Sequence, residues 1–148
     1  MAGSNIVAVK RRIIAELPGL LGIVGDYSYV GKRHDGEREY LYLGDKASGS
    51  VTAAAMAGGT RFARSEELGF SLAIVVRING AETSEETEAR AVELGAGAEE
   101  YLAGNWTTDA IPGLLKLVIT ATELESGVDD TGATSLLTYT LQAHSHVR

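Results

Sequence analysis

Apolar residues recur along the chain at two spacings, every second residue in some segments and at helical spacing in others. The clearest alternation with a period of two is LGFSLAIVVRIN at 68–79, where every second residue is large and apolar apart from a short fully apolar centre. Such a pattern over this length predicts a strand with one buried face. Weaker alternation predicts strands at 23–30, 40–44, 114–126 and 135–148. The polar turns between them predict hairpins, one around Asp35-Gly36 and one over 126–134.

Two segments repeat apolar residues at helical spacing. The first follows Asn5 and is expected to stop at Pro18-Gly19. The second starts with Thr83 and Glu86 at capping-box spacing and ends at Gly104-Asn105. Its predicted buried stripe is made largely of small residues, which favours a close approach of this helix to the sheet. The stripe consists of Ala91, Leu94, Gly95, Ala98 and Leu102.

The order of these elements is helix, two strands, a long segment, strand, helix, two strands. It predicts an α+β fold with a mostly antiparallel sheet of four to five strands and two helices packed on one face. The chain has 148 residues with a hydrophobic content of 45%. We therefore expect a single globular domain over 1–148 with a sizeable core.

The segment 45–67 does not fit this pattern of elements. It has no acidic residue between Asp45 and Glu66, although acidic residues outnumber basic ones 20 to 13 in the whole chain. Such a long stretch without recognised structure is either disordered or makes contacts outside its own domain. We expect a long extended arm or loop that grips a second copy through arginine–carboxylate pairs and strand addition. The candidate interface residues are Val51, Met56, Arg61, Phe62 and Arg64.

The charge and the composition exclude several classes of function. The net charge of −7 disfavours a protein that grips nucleic acid, because binding phosphates requires clustered Lys and Arg. The absence of cysteine removes thiolate catalysis, disulfides and Cys-ligated metals. The apolar stretch after Lys10-Arg11-Arg12 is interrupted by Glu16 and Pro18, so we expect neither a signal peptide nor a membrane span.

The polar constellations of the chain favour structural roles over chemistry. His144 and His146 lie two residues apart on one predicted strand face, but the sequence supplies no third metal ligand at informative spacing. Asp129-Asp130 lies in a predicted hairpin and favours a turn. We expect no enzymatic activity, metal or cofactor. Two further groups are explained by helix capping and by packing respectively: Glu82, Glu85, Glu86 and Glu88; and Tyr27, Tyr29, Tyr40 and Tyr42.

A family resemblance covers nearly the whole chain. It rests on the order of the elements and on soft patterns such as Y-S-Y-x-G-K-R at 27–33 and E-A-R-A at 88–91. The chain resembles the tail terminator proteins of long-tailed, siphovirus-type phages that infect actinobacteria. The resemblance carries no catalytic motif, and the arm-like loop of the family corresponds roughly to 46–65 of this chain.

The resemblance implies a structural role in the virion at the head–tail junction, for a protein made in the host cytoplasm. Such proteins form a hexameric ring that caps the tail tube protein, stops its polymerisation and offers a surface to the head–tail connector. DNA passes the lumen without specific binding, and about six times the charge of −7 suits that passage. The alternatives are another connector or tail-tube ring protein, or a small ligand-binding α+β domain that uses Thr138, Gln142, His144 and His146.

Overall fold

The computed structural model of the chain describes residues 5–29, 38–56, 62–104, 106 and 111–147. It contains two helices and one five-stranded sheet in the order β1-β2-β3-β5-β4. Strand β1 is parallel to β2, and all other neighbours are antiparallel. This confirms the predicted α+β class. The elements are α1 Ile6–Leu21, β1 Val24–Asp26, β2 Glu39–Met56, β3 Phe62–Asn79, α2 Glu85–Leu102, β4 Leu114–Asp129 and β5 Gly132–Val147.

The core lies between the sheet and the two helices, which pack on the same face. The alternating residues of β3 from Phe70 to Val76 are buried, as the period of two predicts. All five residues of the predicted α2 stripe are buried too. The remaining large contributors to this cluster are Val9, Ile13, Leu17, Leu41, Leu43, Leu117, Leu137, Tyr139 and Leu141.

Helix α1 continues past Pro18, which corrects the predicted stop. It ends at Leu21, followed by the left-handed C-cap Gly22 with φ 70°. A proline inside a helix loses one backbone hydrogen bond and crowds the preceding turn. Here Pro18 is buried and packs against β1, because a Cβ added to Gly25 would overlap its ring. This burial offsets the cost that the sequence rule assigns to the proline.

Strands β1 and β2 do not form the predicted antiparallel hairpin. They pair in parallel, with Val24 opposite Tyr40 and Asp26 opposite Tyr42. A two-residue turn at Asp35-Gly36 cannot connect parallel strands, because the chain must return to the same end of the sheet. The connection is therefore the longer segment 27–38. Residues 30–37 lie outside the described part of the chain.

Helix α2 begins one residue later than the capping box predicts. Its N-cap is Ser84 rather than Thr83, and the cap makes no side-chain hydrogen bond to the backbone. Instead, the Thr87 hydroxyl donates to the Ser84 carbonyl at 3.0 Å and hydrogen-bonds Ser135 on β5 at 2.7 Å. Ser135 also hydrogen-bonds Ser126 on β4 at 2.8 Å. This chain of hydroxyls fixes the first turn of α2 over the β4–β5 pair.

A bulge changes the face assignment at the start of β4. The pairing with β5 is irregular between Leu114 and Lys116 and again between Ile119 and Ala121. Strict alternation over the predicted strand 114–126 would place Leu115 on the same face as Leu117, but Leu115 is exposed and Leu117 is buried. The extra residue in the bulged strand shifts the alternation, which a strict period of two cannot anticipate.

The β4–β5 hairpin closes in a turn built by Asp129, as the sequence predicts. One carboxylate oxygen of Asp129 accepts hydrogen bonds from the Thr131 hydroxyl at 2.6 Å, the Thr131 N–H at 2.8 Å and the Gly132 N–H at 3.2 Å. The hydrogen bond from the Thr131 side chain, followed by those from the backbone, holds the pKa of Asp129 below its ordinary value. The turn is much shorter than the predicted loop over 126–134.

We expect Gly95→Ala to destabilise the fold. A Cβ at this position would lie against the Tyr139 hydroxyl and 2.5 Å from Cδ2 of Leu137. The resulting overpacking should lower the free energy of unfolding by about 1–3 kcal/mol. Gly19→Ala is the matched control in α1, because nothing lies within 4 Å of its added Cβ. That control should gain up to about 1 kcal/mol from helix propensity, measured by urea unfolding. Equal effects at the two positions would contradict the close packing.

We expect Thr131→Ala to raise the pKa of Asp129 toward its ordinary value, because the variant loses the hydroxyl donor. Since the pKa is lowered in the folded state, the turn is stabilised above the ordinary Asp pKa. That stabilisation is lost as the pH falls through the folded value. An NMR titration of the Asp129 carboxyl carbon measures the shift, and Thr134→Ala is the control on the same hairpin. An ordinary midpoint for Asp129 in the unmodified chain would contradict this account.

Candidate interaction surface

The predicted interface residues lie at the end of the β2–β3 hairpin. The backbones of Val51 and Met56 belong to β2, and those of Phe62 and Arg64 belong to β3. Met56 stands opposite Phe62, which brings the ends of the two strands together. Arg61 lies outside the described residues, as do the side chains of the other four. Their contacts with a second copy therefore stay a prediction.

The segment 45–67 is built of strands rather than of loop, over most of its length. Residues Ala47 to Met56 pair with Phe70 to Phe62, and β3 also pairs with β5 as far as Arg64 opposite Val147. The expected extended arm is thus an extension of the sheet. A weak sequence signal was present: ASGSVTA at 47–53 alternates small or apolar residues with Ser and Thr. Small residues have low strand propensity, which hid the pattern.

The sheet has two long edges without a strand partner in the described part of the chain. One is β4, which pairs only with β5 along its whole length. The other is β2 beyond Tyr42, because β1 covers only Tyr40 to Tyr42. Two regular stretches follow the bulges: Ala121 to Asp129, which we call the β4 edge, and Ala47 to Ala53, which we call the β2 edge. A long open edge presents a row of backbone donors and acceptors to a further strand.

The β4 edge is exposed on both of its faces. Every residue from Thr120 to Asp129 is exposed, whereas the first half of the strand carries the buried Leu114 and Leu117. Leu124 is 40% exposed and Val128 is 49% exposed. Large apolar side chains in such positions are typical of a surface that another segment covers.

The tyrosines lie together around the start of β2. Tyr42 lies between Tyr40 and Tyr29, with ring centroids 6.2 Å and 5.0 Å away. The Arg77 guanidinium donates to the Tyr40 hydroxyl at 3.1 Å, and Tyr40 is buried. Desolvation raises the pKa values of Tyr40 and Tyr42. These contacts favour packing over a base-stacking platform, in agreement with the sequence interpretation.

The histidines of β5 take part in strand pairing. His144 stands opposite Glu67 on β3, and its Nδ1 lies 3.1 Å from a Glu67 carboxylate oxygen. His146 donates its backbone N–H to the Gly113 carbonyl at 2.7 Å. Among the described residues, no group of three His, Asp or Glu side chains is arranged to hold a metal ion. The pair is therefore not brought together with a third ligand there.

A cavity of about 380 Å³ lies between the start of β2, the end of β3 and the first turns of α2. Three arginines line it, but Arg90 is held by Glu39 in a two-point ion pair, with one N–O distance of 3.2 Å, and by Glu93 at 3.1 Å. Arg77 is bonded to Tyr40. The ion pairs and the hydrogen bond at this cavity thus connect α2 to the sheet and engage two of the three arginines that line it.

Comparisons with known proteins show a fold similar to that of a chain in a virion structure. No protein-family model and no curated protein matches the chain. The fold is similar to a chain in a solved structure described as "Virion of native gene transfer agent (GTA) particle". The TM-score is 0.52 at 18% sequence identity, and the match covers 95% of this chain and 91% of that chain. At this identity the similarity shows a shared fold. Within the described residues, no helix is long and apolar enough to cross a membrane.

Proposed function

We propose that this chain is a structural virion protein, and specifically a tail terminator. It forms a hexameric ring on the head-proximal end of the tail tube, ends polymerisation of the tube protein and joins the tail to the head–tail connector. The observation that carries the proposal is the fold match to a virion chain over nearly the whole of both chains. The resemblance to actinobacteriophage tail terminators in element order and soft patterns agrees with it.

The two open edges of the sheet support a role in assembly. A protein that acts alone usually shields long edge strands with a further element. Here the β4 edge and the β2 edge lie on opposite sides of one sheet. A heterologous contact between different surfaces closes into a ring when the rotation permits. The chain therefore carries the kind of surfaces that a ring subunit needs.

The charge suits a ring through which DNA passes. The net charge of −7 accumulates in an oligomer and repels the phosphate backbone. Several basic side chains are engaged within the subunit: Arg12 with Glu16, Arg90 with Glu39 and Arg77 with Tyr40. DNA is thus proposed as a passing molecule rather than a bound partner. Assembly in the host cytoplasm and a final place at the head–tail junction complete the proposal.

Proteins with the rival functions would assemble differently. A tail-tube subunit polymerises into long tubes, whereas a terminator stops at one ring. A ligand-binding domain works as a monomer or dimer and needs a convergent polar pocket on the face of Thr138, Gln142, His144 and His146. The contact of His144 Nδ1 with the Glu67 carboxylate occupies one of these side chains, so the ligand-binding function has less support.

We expect the purified chain to form one closed ring. Native mass spectrometry should show a species of ~94 kDa, about six times the 15.6 kDa of one chain, without longer polymers. Added to a polymerising preparation of its tail tube protein, the ring should shorten the tubes seen by electron microscopy. A stable monomer at high concentration, or open-ended tubes of this chain alone, would refute the terminator role.

We expect Arg61→Glu combined with Arg64→Glu to weaken the ring while the subunit stays folded. The reversal changes the formal charge of the segment 46–65 from +3 to −1 and opposes its contact with an acidic neighbour. The control reverses two exposed arginines outside the arm, Arg11→Glu with Arg38→Glu, and leaves the arm unchanged. Circular dichroism checks the fold and native mass spectrometry the ring. A ring of unchanged stability in the arm variant would exclude the arm from the interface.

A further inference from the structure

We propose that the β2 edge of one copy pairs with the β4 edge of the next, so that the sheets of neighbouring subunits continue into each other. This inference rests on the proposed ring and names the surface that receives the arm. Both edges run in regular register after a bulge, β2 from Ala47 to Ala53 and β4 from Ala121 to Asp129. Each presents unpaired backbone groups on its outer side in the described structure.

The directions of the strands allow this pairing without turning a subunit over. Strands β2 and β3, β3 and β5, and β5 and β4 are successively antiparallel, so β2 and β4 run in opposite directions. A second copy placed beside β4 in the same orientation presents its β2 edge antiparallel to it. Antiparallel pairing is the arrangement in which short regular stretches exchange straight hydrogen bonds. The same contact repeats at every subunit of a ring.

The charges around the two edges are complementary. The β2 edge itself is uncharged, but Lys46 directly precedes it, and the segment 46–65 contains three basic residues and no acidic one. The segment 117–147 contains four acidic residues and neither Lys nor Arg. On β4, Glu123 and Glu125 are exposed and stand opposite Thr138 and Leu136 of β5. They therefore share the sheet face that is turned away from the helices. The basic residue beside the β2 edge and the carboxylates on the β4 edge favour this partner and orientation over pairing of β4 with another β4.

An exposed apolar row beside β4 gives the docked strand a surface to cover. Leu124 stands opposite Leu137, which lies directly beneath Gly95 of α2. Val128 stands opposite Ala133, lies on the same strand face as Leu124 and is 49% exposed. A strand added to the β4 edge covers this row on the helix side. Ala47, Ser48 and Gly49 at the start of the β2 edge have small side chains or none, which fits such a close approach.

Cysteine cross-linking tests the contact directly, because the chain has no cysteine of its own. Ser48 is exposed and stands opposite Gly69 of β3, so it shares the sheet face of Glu123 and Glu125. The double variants combine Ser48→Cys with Glu123→Cys, Glu125→Cys or Gly127→Cys, in steps of two residues that keep the face. At least one should give, on oxidation, a ladder of covalent oligomers in a denaturing gel. Facing strand residues have the Cα separation that a disulfide requires.

The control and the outcomes separate this inference from the ring itself. Ser48→Cys with Glu100→Cys, on the exposed side of α2, should stay monomeric in the denaturing gel. Native mass spectrometry follows every variant before oxidation. A ring without a ladder from any of the three pairs overturns the edge pairing and leaves the ring standing. If no ring forms in the unmodified chain, both proposals fail.

Charge reversal gives a second, independent readout. Glu123→Lys with Glu125→Lys should weaken subunit association on the order of tenfold at low salt, and less at high salt. Adding Lys46→Glu should restore part of the loss, because the reversed charges then attract. Glu82→Lys with Glu100→Lys changes the net charge equally at exposed positions away from the edge. Equal weakening by both pairs, without rescue, would mean that net charge and not edge pairing controls association.

Discussion

Every buried backbone N–H and C=O needs a hydrogen-bond partner, and this requirement organises the structure. Strand β3 lies between β2 and β5 from Arg64 to Val76, and β5 lies between β3 and β4 from Gly132 to Ser145. These two strands form the centre on which the helices pack. The strands of 16 to 18 residues extend beyond the cover of the helices. The same pairing that completes the centre therefore leaves the outer strands β2 and β4 open.

How well the fold could be predicted depended on how local each signal was. The alternation of β3 and the small-residue stripe around Gly95 were predicted correctly. In each segment the buried face places apolar or small residues at the spacing of its own secondary structure. The second half of β2 was missed. Its Ala, Gly, Ser and Thr residues have little strand preference, and pairing with β3 decides their conformation. The parallel pairing of β1 and the helical Pro18 likewise depend on distant packing.

The candidate surface could likewise be predicted only in part from the sequence. The basic character of the segment 46–65 is visible in the sequence as a gap in acidic residues. The β4 edge that we propose as its partner could not be found this way. Leu124 and Val128 lie in an ordinary alternating strand, and only the strand order shows that β4 is outermost. The proposed role in an assembly rests on topology, whereas an active site is usually visible as a cluster of reactive residue types.

The close packing of α2 on the sheet also limits which amino-acid substitutions this chain can accept. The helix lies so close at Gly95 that the ring of Tyr139 occupies the space of a side chain. A side chain at position 95 would overlap the Tyr139 hydroxyl and Leu137, so it is accommodated only if these side chains or the helix shift. The size of the residue that position 95 accepts is therefore set by residues of β5, a distant element in the sequence.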